Sequence, residues 1–171
     1  MPVSNTYPTR NLQGGTLVIQ DGTPTTPLTL TVIGEEGNLE WTAKPRPGVP
    51  VTDRDLIETA FDAQAVETPM TFSFTIKYRY CLAETPEPLS PYEALLKKGG
   101  AAAWVSTTSA GTFRVNLQFT IANPIAASKS ELIVLPDAGN FEVKFAEGKE
   151  FNTLQVSGDC LAIEPTITRP T

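Results

Sequence analysis

Two stretches of this chain alternate apolar and polar residues without a break. In Met70–Tyr80, Met70, Phe72, Phe74, Ile76, Tyr78 and Tyr80 fall on one side, and Thr71, Ser73, Thr75, Lys77 and Arg79 on the other. In Thr112–Ile121 the apolar side is Phe113, Val115, Leu117, Phe119 and Ile121, and the polar side is Arg114, Asn116, Gln118 and Thr120. A period of two marks a strand with one buried face. Both runs exceed the usual strand of about five or six residues, a length that suits a sheet extending beyond one compact subunit.

Shorter strands are predicted around them. Thr16–Gln20 ends in the turn pair Asp21–Gly22, and Leu28–Ile33 and Asn38–Ala43 flank Gly34–Gly37 as a hairpin with a short loop. Glu131–Leu135, Phe141–Phe145, Thr153–Val156 and Cys160–Ile163 follow, separated by the turn signals Pro136–Gly139, Glu147–Gly148 and Ser157–Asp159. Turns recurring at intervals of about 8–12 residues favour a β-sandwich or barrel of two antiparallel sheets. One helix is expected over Ser90–Lys98, with Ser90 as N-cap, Pro91 at the first helical position and Gly99 past the end. A second is expected over Asp55–Gln64.

The segment Lys44–Thr52 includes Pro45, Pro47 and Pro50. Proline cannot donate to a ladder, so this stretch reads as a stiff extended arm. With the residues up to Pro69 it forms a long connection between two strand-rich parts, and connections of this kind usually have a task. The termini, residues 1–14 and 165–171, are polar and contain proline, and need not pack on their own subunit.

Composition sharpens the picture. A chain of 171 residues with 40% hydrophobic content fits a single domain with its own core. Its start lacks the basic and apolar regions of a secretory leader, and no stretch has the length of a membrane span. Both point to a cytosolic protein that does not insert into membranes. In that compartment the two cysteines, Cys81 and Cys160, read as inert thiols more readily than as a disulfide. The chain has no histidine, which removes the commonest general base and the usual nucleophilic triads; with two cysteines, it also speaks against a zinc site. No cofactor is implied. With 13 basic against 19 acidic residues the net charge is −6, the wrong balance for a broad nucleic-acid-binding face.

Each chemical motif has a structural explanation of equal or greater weight. Glu35–Glu36 and Asp53 with Asp55 are carboxylate clusters able to hold a hard cation or act as an acid/base pair, but loop tips place such charges in water anyway. Lys97–Gly100 superficially suggests a phosphate loop, yet its order is wrong and no strand leads into it. Trp41 and Trp104, with Tyr78 and Tyr80, form the candidate platform of a carbohydrate- or ligand-binding module, and are read first as packing residues. Lys77, Arg79 and Arg114 are the one hint of a basic patch.

The order of segments resembles that of the major tail tube proteins of long-tailed bacteriophages. The resemblance runs through Gly15–Gly22, the hairpin ending in Asn38–Trp41, the arm reaching Asp53–Arg54, the strand Phe72–Tyr78, Ala103–Thr108, and the closing Phe145–Gly148 with Asn152–Leu154. It implies a non-enzymatic virion protein whose copies form hexameric rings stacked into a tube, the inner sheets closing into one barrel. The partners it implies are further copies, a tape measure protein, the proteins at the tube ends, and double-stranded DNA passing through the lumen unbound. The inter-subunit arm would comprise Lys44, Pro45, Arg46, Pro47, Val49, Val51, Asp53 and Arg54. The sheet-face residues at the lumen or interface would be Glu40, Thr71, Ser73, Thr75, Lys77, Arg114, Asn116 and Gln118. The cations among these have the wrong sign for a DNA-repelling wall, so either those faces are not the wall or Glu40, Glu142 and other carboxylates outweigh them. Other virion components, such as a tail terminator or capsid decoration protein, share the same structural class.

Overall fold

The computed structural model describes residues 15–33, 38–43, 48–53, 56–61, 69–78, 89–109, 111–121, 130–149 and 152–168. The protein is mainly β, with a single short α-helix among the described residues. The strands are β1 (Thr16–Gln20), β2 (Thr29–Ile33), β3 (Glu40–Thr42), β4 (Gly48–Asp53), β5 (Leu56–Phe61), β6 (Met70–Lys77), β7 (Arg114–Ile121), β8 (Glu131–Ala146), β9 (Thr153–Cys160) and β10 (Thr166–Thr168). Helix α1 is Pro91–Leu96. Eight strands form one antiparallel sheet in the order β2-β1-β7-β8-β9-β6-β3, with β10 also on β8, while β4 and β5 form a separate two-stranded sheet.

The alternation in β6 does what its pattern dictates: Met70, Phe72, Phe74 and Ile76 are all at most 4% exposed. Beside Leu154 and Val156 of the neighbouring β9, they join Leu17 and Ile19 of β1, Leu117 of β7, and Ile133 and Leu135 of β8 in one continuous core. Each such side chain contributes about 1.5–3 kcal/mol by leaving water. Phe74 of β6 meets Phe119 of β7 edge to face at 5.3 Å between ring centroids. These strands are not ladder neighbours, so the contact spans the core and the sheet is folded over on itself. A β2-β1-β7-β8-β10 half thus packs against a β8-β9-β6-β3 half.

The fold turns at β8. Two strands with a turn at Pro136–Gly139 were expected; the structure has one 16-residue strand. Its first part pairs with β7 as far as Gly139, and its last part with β9 from Ala138 to Ala146. Asp137 and Asn140 adopt left-handed φ of 50° and 49°, a conformation that Asp and Asn tolerate better than most residues. Both ladders shift register nearby. The turn chemistry has been spent on bending a strand between two layers instead of reversing it. Ser157–Asp159 likewise lies inside β9, where a Cβ on Gly158 would stand 2.6 Å from the Gly139 carbonyl oxygen.

Other expectations are corrected too. Leu28–Ile33 and Asn38–Ala43 do not form a hairpin: β2 pairs with β1, and β3 with β6, at opposite ends of the strand order. The few residues between them reach at most roughly 25 Å, so the two ends of the folded sheet lie close together. Gly48–Asp53 is a ladder strand, not an arm incapable of pairing, and Leu56–Phe61 is its partner instead of helix. A two-stranded ribbon leaves alternate N–H groups pointing outward, where a proline such as Pro50 breaks no bond. In the C-terminal tail, Thr166–Thr168 pairs with Leu132–Val134 of β8.

Helix α1 starts as its sequence predicts. Ser90 accepts from the Glu93 amide at 3.3 Å, and Glu93 Oε2 accepts from the Ser90 amide at 2.9 Å, closing a capping box. The Ser90 donors hold the Glu93 carboxyl below the usual glutamate range despite some burial. The helix stops earlier than expected because Lys97, not Gly99, takes the first left-handed position, with φ 52°. Leu95 and Trp104 carry this connection into the core, 1% and 4% exposed.

Candidate functional site

The most regular polar surface lies on the outward face of the β8-β9-β6-β3 half. Strand register lines its residues into rows. Glu40, Ser73, Ser157 and Glu142 are successive cross-strand partners, and Thr75, Gln155 and Lys144 form the adjacent row. Asn38 extends that row by accepting from the Thr75 amide at 3.1 Å. These residues line a shallow groove of about 380 Å³. The expected face residues Glu40, Thr71, Ser73, Thr75 and Lys77 therefore belong to one surface, where Glu40 and Glu142 offset Lys77 and Lys144.

This half has two open borders among the described residues. Beyond Gly139, β8 is paired only with β9, which leaves the stretch Asn140–Ala146 free on its other side, and β3 is paired only with β6. Exposed edges of this kind are templates for another strand.

Arg114, Asn116 and Gln118 lie elsewhere, on β7. Arg114 is a correction: its residue is 5% exposed. Its Nη1 donates to the Asp137 carbonyl and to Asp159 Oδ1, both at 2.8 Å. Asn140 Nδ2 donates to the other Asp159 oxygen at 2.6 Å. The guanidinium thus pins the β8 bend and neutralises Asp159, and contributes nothing to a basic patch. Asn116 accepts from the Asp137 amide at 3.1 Å, and Gln118 Nε2 donates to Gln20 at 2.6 Å. Of the arm residues, Val49, Val51 and Asp53 lie in β4, while Lys44, Pro45, Arg46, Pro47 and Arg54 lie outside the described residues, as do Glu35, Glu36, Asp55, Arg79, Tyr80 and Cys81.

The two tryptophans do not form a common platform. Trp104 is buried, whereas Trp41 is 37% exposed and lines an open apolar cleft of about 250 Å³ with Leu39, Ile76, Phe119 and Ile121. The cleft separates the two halves at the end of the sandwich where β1 begins and β7 ends.

At the other end of β1 stands a residue that the sequence reading treated only as half of a turn. Asp21 is 2% exposed. Its Oδ1 accepts from the Thr23 and Leu28 amides at 3.1 and 2.7 Å; its Oδ2 accepts from the Thr23 hydroxyl and the Val105 amide at 2.6 and 3.1 Å. Burial pushes its pKa up, but these donors together outweigh burial and hold it below the ordinary aspartate value. Gly22 continues the junction, donating to the Val105 carbonyl at 2.9 Å. A Cβ there would collide with the Ser106 carbonyl oxygen. The local pattern Asp-x-Thr was a legible sign of side chain-to-backbone bonding within the turn; the bond to Val105, distant in sequence, was not.

Cys160 is fully buried, and burial with Asp159 alongside pushes its thiol up to about 12. Among the described residues no group of acidic, cysteine or histidine side chains is arranged to hold a metal ion. None of the helices described is long and apolar enough to cross a membrane. Comparison of the chain with protein-family models gives no match, and comparison with curated proteins gives none either.

Proposed function

We propose that the protein is a self-assembling structural component of a bacteriophage tail, its copies forming hexameric rings that stack into the tube through which DNA leaves. The observation that carries this reading is the β8-β9-β6-β3 half, a tile with, among the described residues, an unpaired edge on each side, an apolar inner face and a polar outer face. Pairing β3 of one copy with the free Asn140–Ala146 edge of the next joins two different borders, a head-to-tail contact that closes into a ring if the rotation permits. Six four-strand tiles at about 4.8 Å per strand make a barrel roughly 37 Å across at the backbone, before strand tilt widens it.

The lumen wall would then be the rows of Glu40, Ser73, Ser157 and Glu142 and of Thr75, Gln155 and Lys144. Hydroxyls, amides and balanced charges offer a passing duplex no cluster of cations to hold it. Further copies, a tape measure protein within the lumen and proteins at the tube ends are the partners. The assembled particle is the virion tail, built in the host cytoplasm, and the role needs no catalysis and no cofactor.

Negative-stain microscopy of purified protein over a range of concentrations tests this. Rings or striated tubes are expected. A monomer that persists at every concentration and salt would overturn the reading.

A further inference from the structure

Among the described residues the sandwich carries an apolar feature without charge at each end, and we propose that the two meet between stacked copies. The Asp21-pinned tip of one subunit, with Leu28 and Val105, seats in the cleft beside Leu39 and Trp41 of the next. The inference rests on the tube reading and names the contact that holds one ring on another.

The tip is ready to dock. Leu28 and Val105 are 46% and 45% exposed, and their backbone amides end on the two oxygens of one buried carboxylate. That bonding holds the backbone of both residues to the same carboxylate. Asp21 fastens the base of the loop, Gly22 lies hard against Ser106, and Pro24 and Pro27 stiffen the segment between. A surface already ordered loses little conformational entropy on binding. Of the six large apolar side chains left exposed among the described residues, Leu28, Val105 and Trp41 lie on these two surfaces.

Electrostatics single out the same pair of surfaces. Copies of a chain with net charge −6 repel one another. Residues Gly22–Leu28 of the tip bear no charge, and among the described residues no ionisable side chain lines the cleft. The one carboxylate at the tip, Asp21, is turned inward onto its donors. Contact between the ends therefore avoids the like-charge penalty that much of the remaining surface would impose.

Geometry supplies the direction. Strand β1 runs from the cleft wall at Thr16 and Leu17 to the tip at Asp21, so the two surfaces cap opposite ends of one strand. Joining opposite ends of identical subunits is a heterologous contact, and one that translates each copy along an axis repeats without closing. Edge pairing closes the ring; tip-to-cleft seating extends the column.

The test is the double variant Leu28→Lys with Val105→Lys, which places two ammonium groups against the apolar lining of the cleft. Both positions are exposed, so its melting curve should match that of the wild-type protein. It is expected to form rings, with the concentration needed for tube growth raised at least tenfold. Tubes at the wild-type concentration would overturn the contact. In a second experiment, Leu28→Cys protein is mixed with Leu39→Cys protein, assembled and oxidised. A disulfide between the two positions, identified by peptide mass, is expected between copies. Tubes that form without it place some other occupant in the cleft and overturn the proposal. If the unmodified protein forms neither rings nor tubes, the tube reading itself fails, a result separable from both of these.

Discussion

Replacing Asp21 by alanine tests whether one carboxylate fastens the β1–β2 loop to the segment that follows α1. The side chain accepts from the backbone amides of Thr23, Leu28 and Val105 and from the Thr23 hydroxyl. Alanine leaves three amides without their partner. A stranded buried donor costs about 1–3 kcal/mol; Leu28 and Val105 are part-exposed, so water recovers some of this and the lower figure applies to each. The expected loss is about 3 kcal/mol. In a domain of this size that lowers the melting temperature by roughly 6–12 °C. Asp21→Asn keeps the shape but turns a donor toward a donor, and should fall between alanine and the wild type.

Acidification provides a second reading of the same bond. The folded-state pKa lies below the ordinary value of 3.8, so the contribution is complete above that value. It is lost as the pH falls through the folded-state pKa. Circular-dichroism melts of dilute wild-type and Asp21→Asn protein should therefore converge as the pH drops below about 4. A destabilisation by alanine below about 1 kcal/mol, or a gap between wild type and Asp21→Asn that does not change with pH, would refute the pin as described.

Four further outcomes are expected. Arg114→Met leaves Asp159 without its guanidinium and frees the β8 bend; because Asp159 is partly solvated, urea unfolding should show a loss of about 2–3 kcal/mol, below the full cost for a buried pair. Ser90→Ala removes the N-cap acceptor of α1 and should cost about 1 kcal/mol by the same measurement. Phe74→Ala empties the contact with Phe119 and should cost about 3–5 kcal/mol. Cys160, its thiol near pKa 12, should remain unmodified by a thiol reagent at about pH 8 in native protein and react on unfolding, as followed by peptide mass.

What the sequence made legible was local. Alternation placed β6 and β7 correctly, since period-two burial needs no knowledge of partners, and Ser90-Pro91 with Glu93 marked the start of α1. What it concealed was pairing. Asp137, Gly139 and Asn140 look like a reversal, because the conformations that turn a chain back are also those that bend a strand. Pro50 argued against a ladder only if all its neighbours were bonded, which a two-stranded ribbon does not require. Thr166–Thr168 is too short to show a period and exists as a strand because β8 offers it an edge. At the candidate site, Glu40 and Ser73 were placed on one surface, but Arg114 was misread. Alternation does put Arg114 on the face opposite Val115 and Leu117, but the β8 bend covers that face there, and Asp137 and Asp159 accept from the guanidinium.

The way this sheet is wired also governs how it must be made. Thr16 pairs with Thr120, and Met70 with Cys160, so neither layer has all its partners until well over half of the chain is in place. Separations of that size put formation of the native state in the slow range of small β proteins, milliseconds to seconds. They also keep β8 and the β6–β3 pair from joining in one layer until β9 has docked between them. Under the assembly proposed above, polymer growth would wait on maturation of the individual molecule.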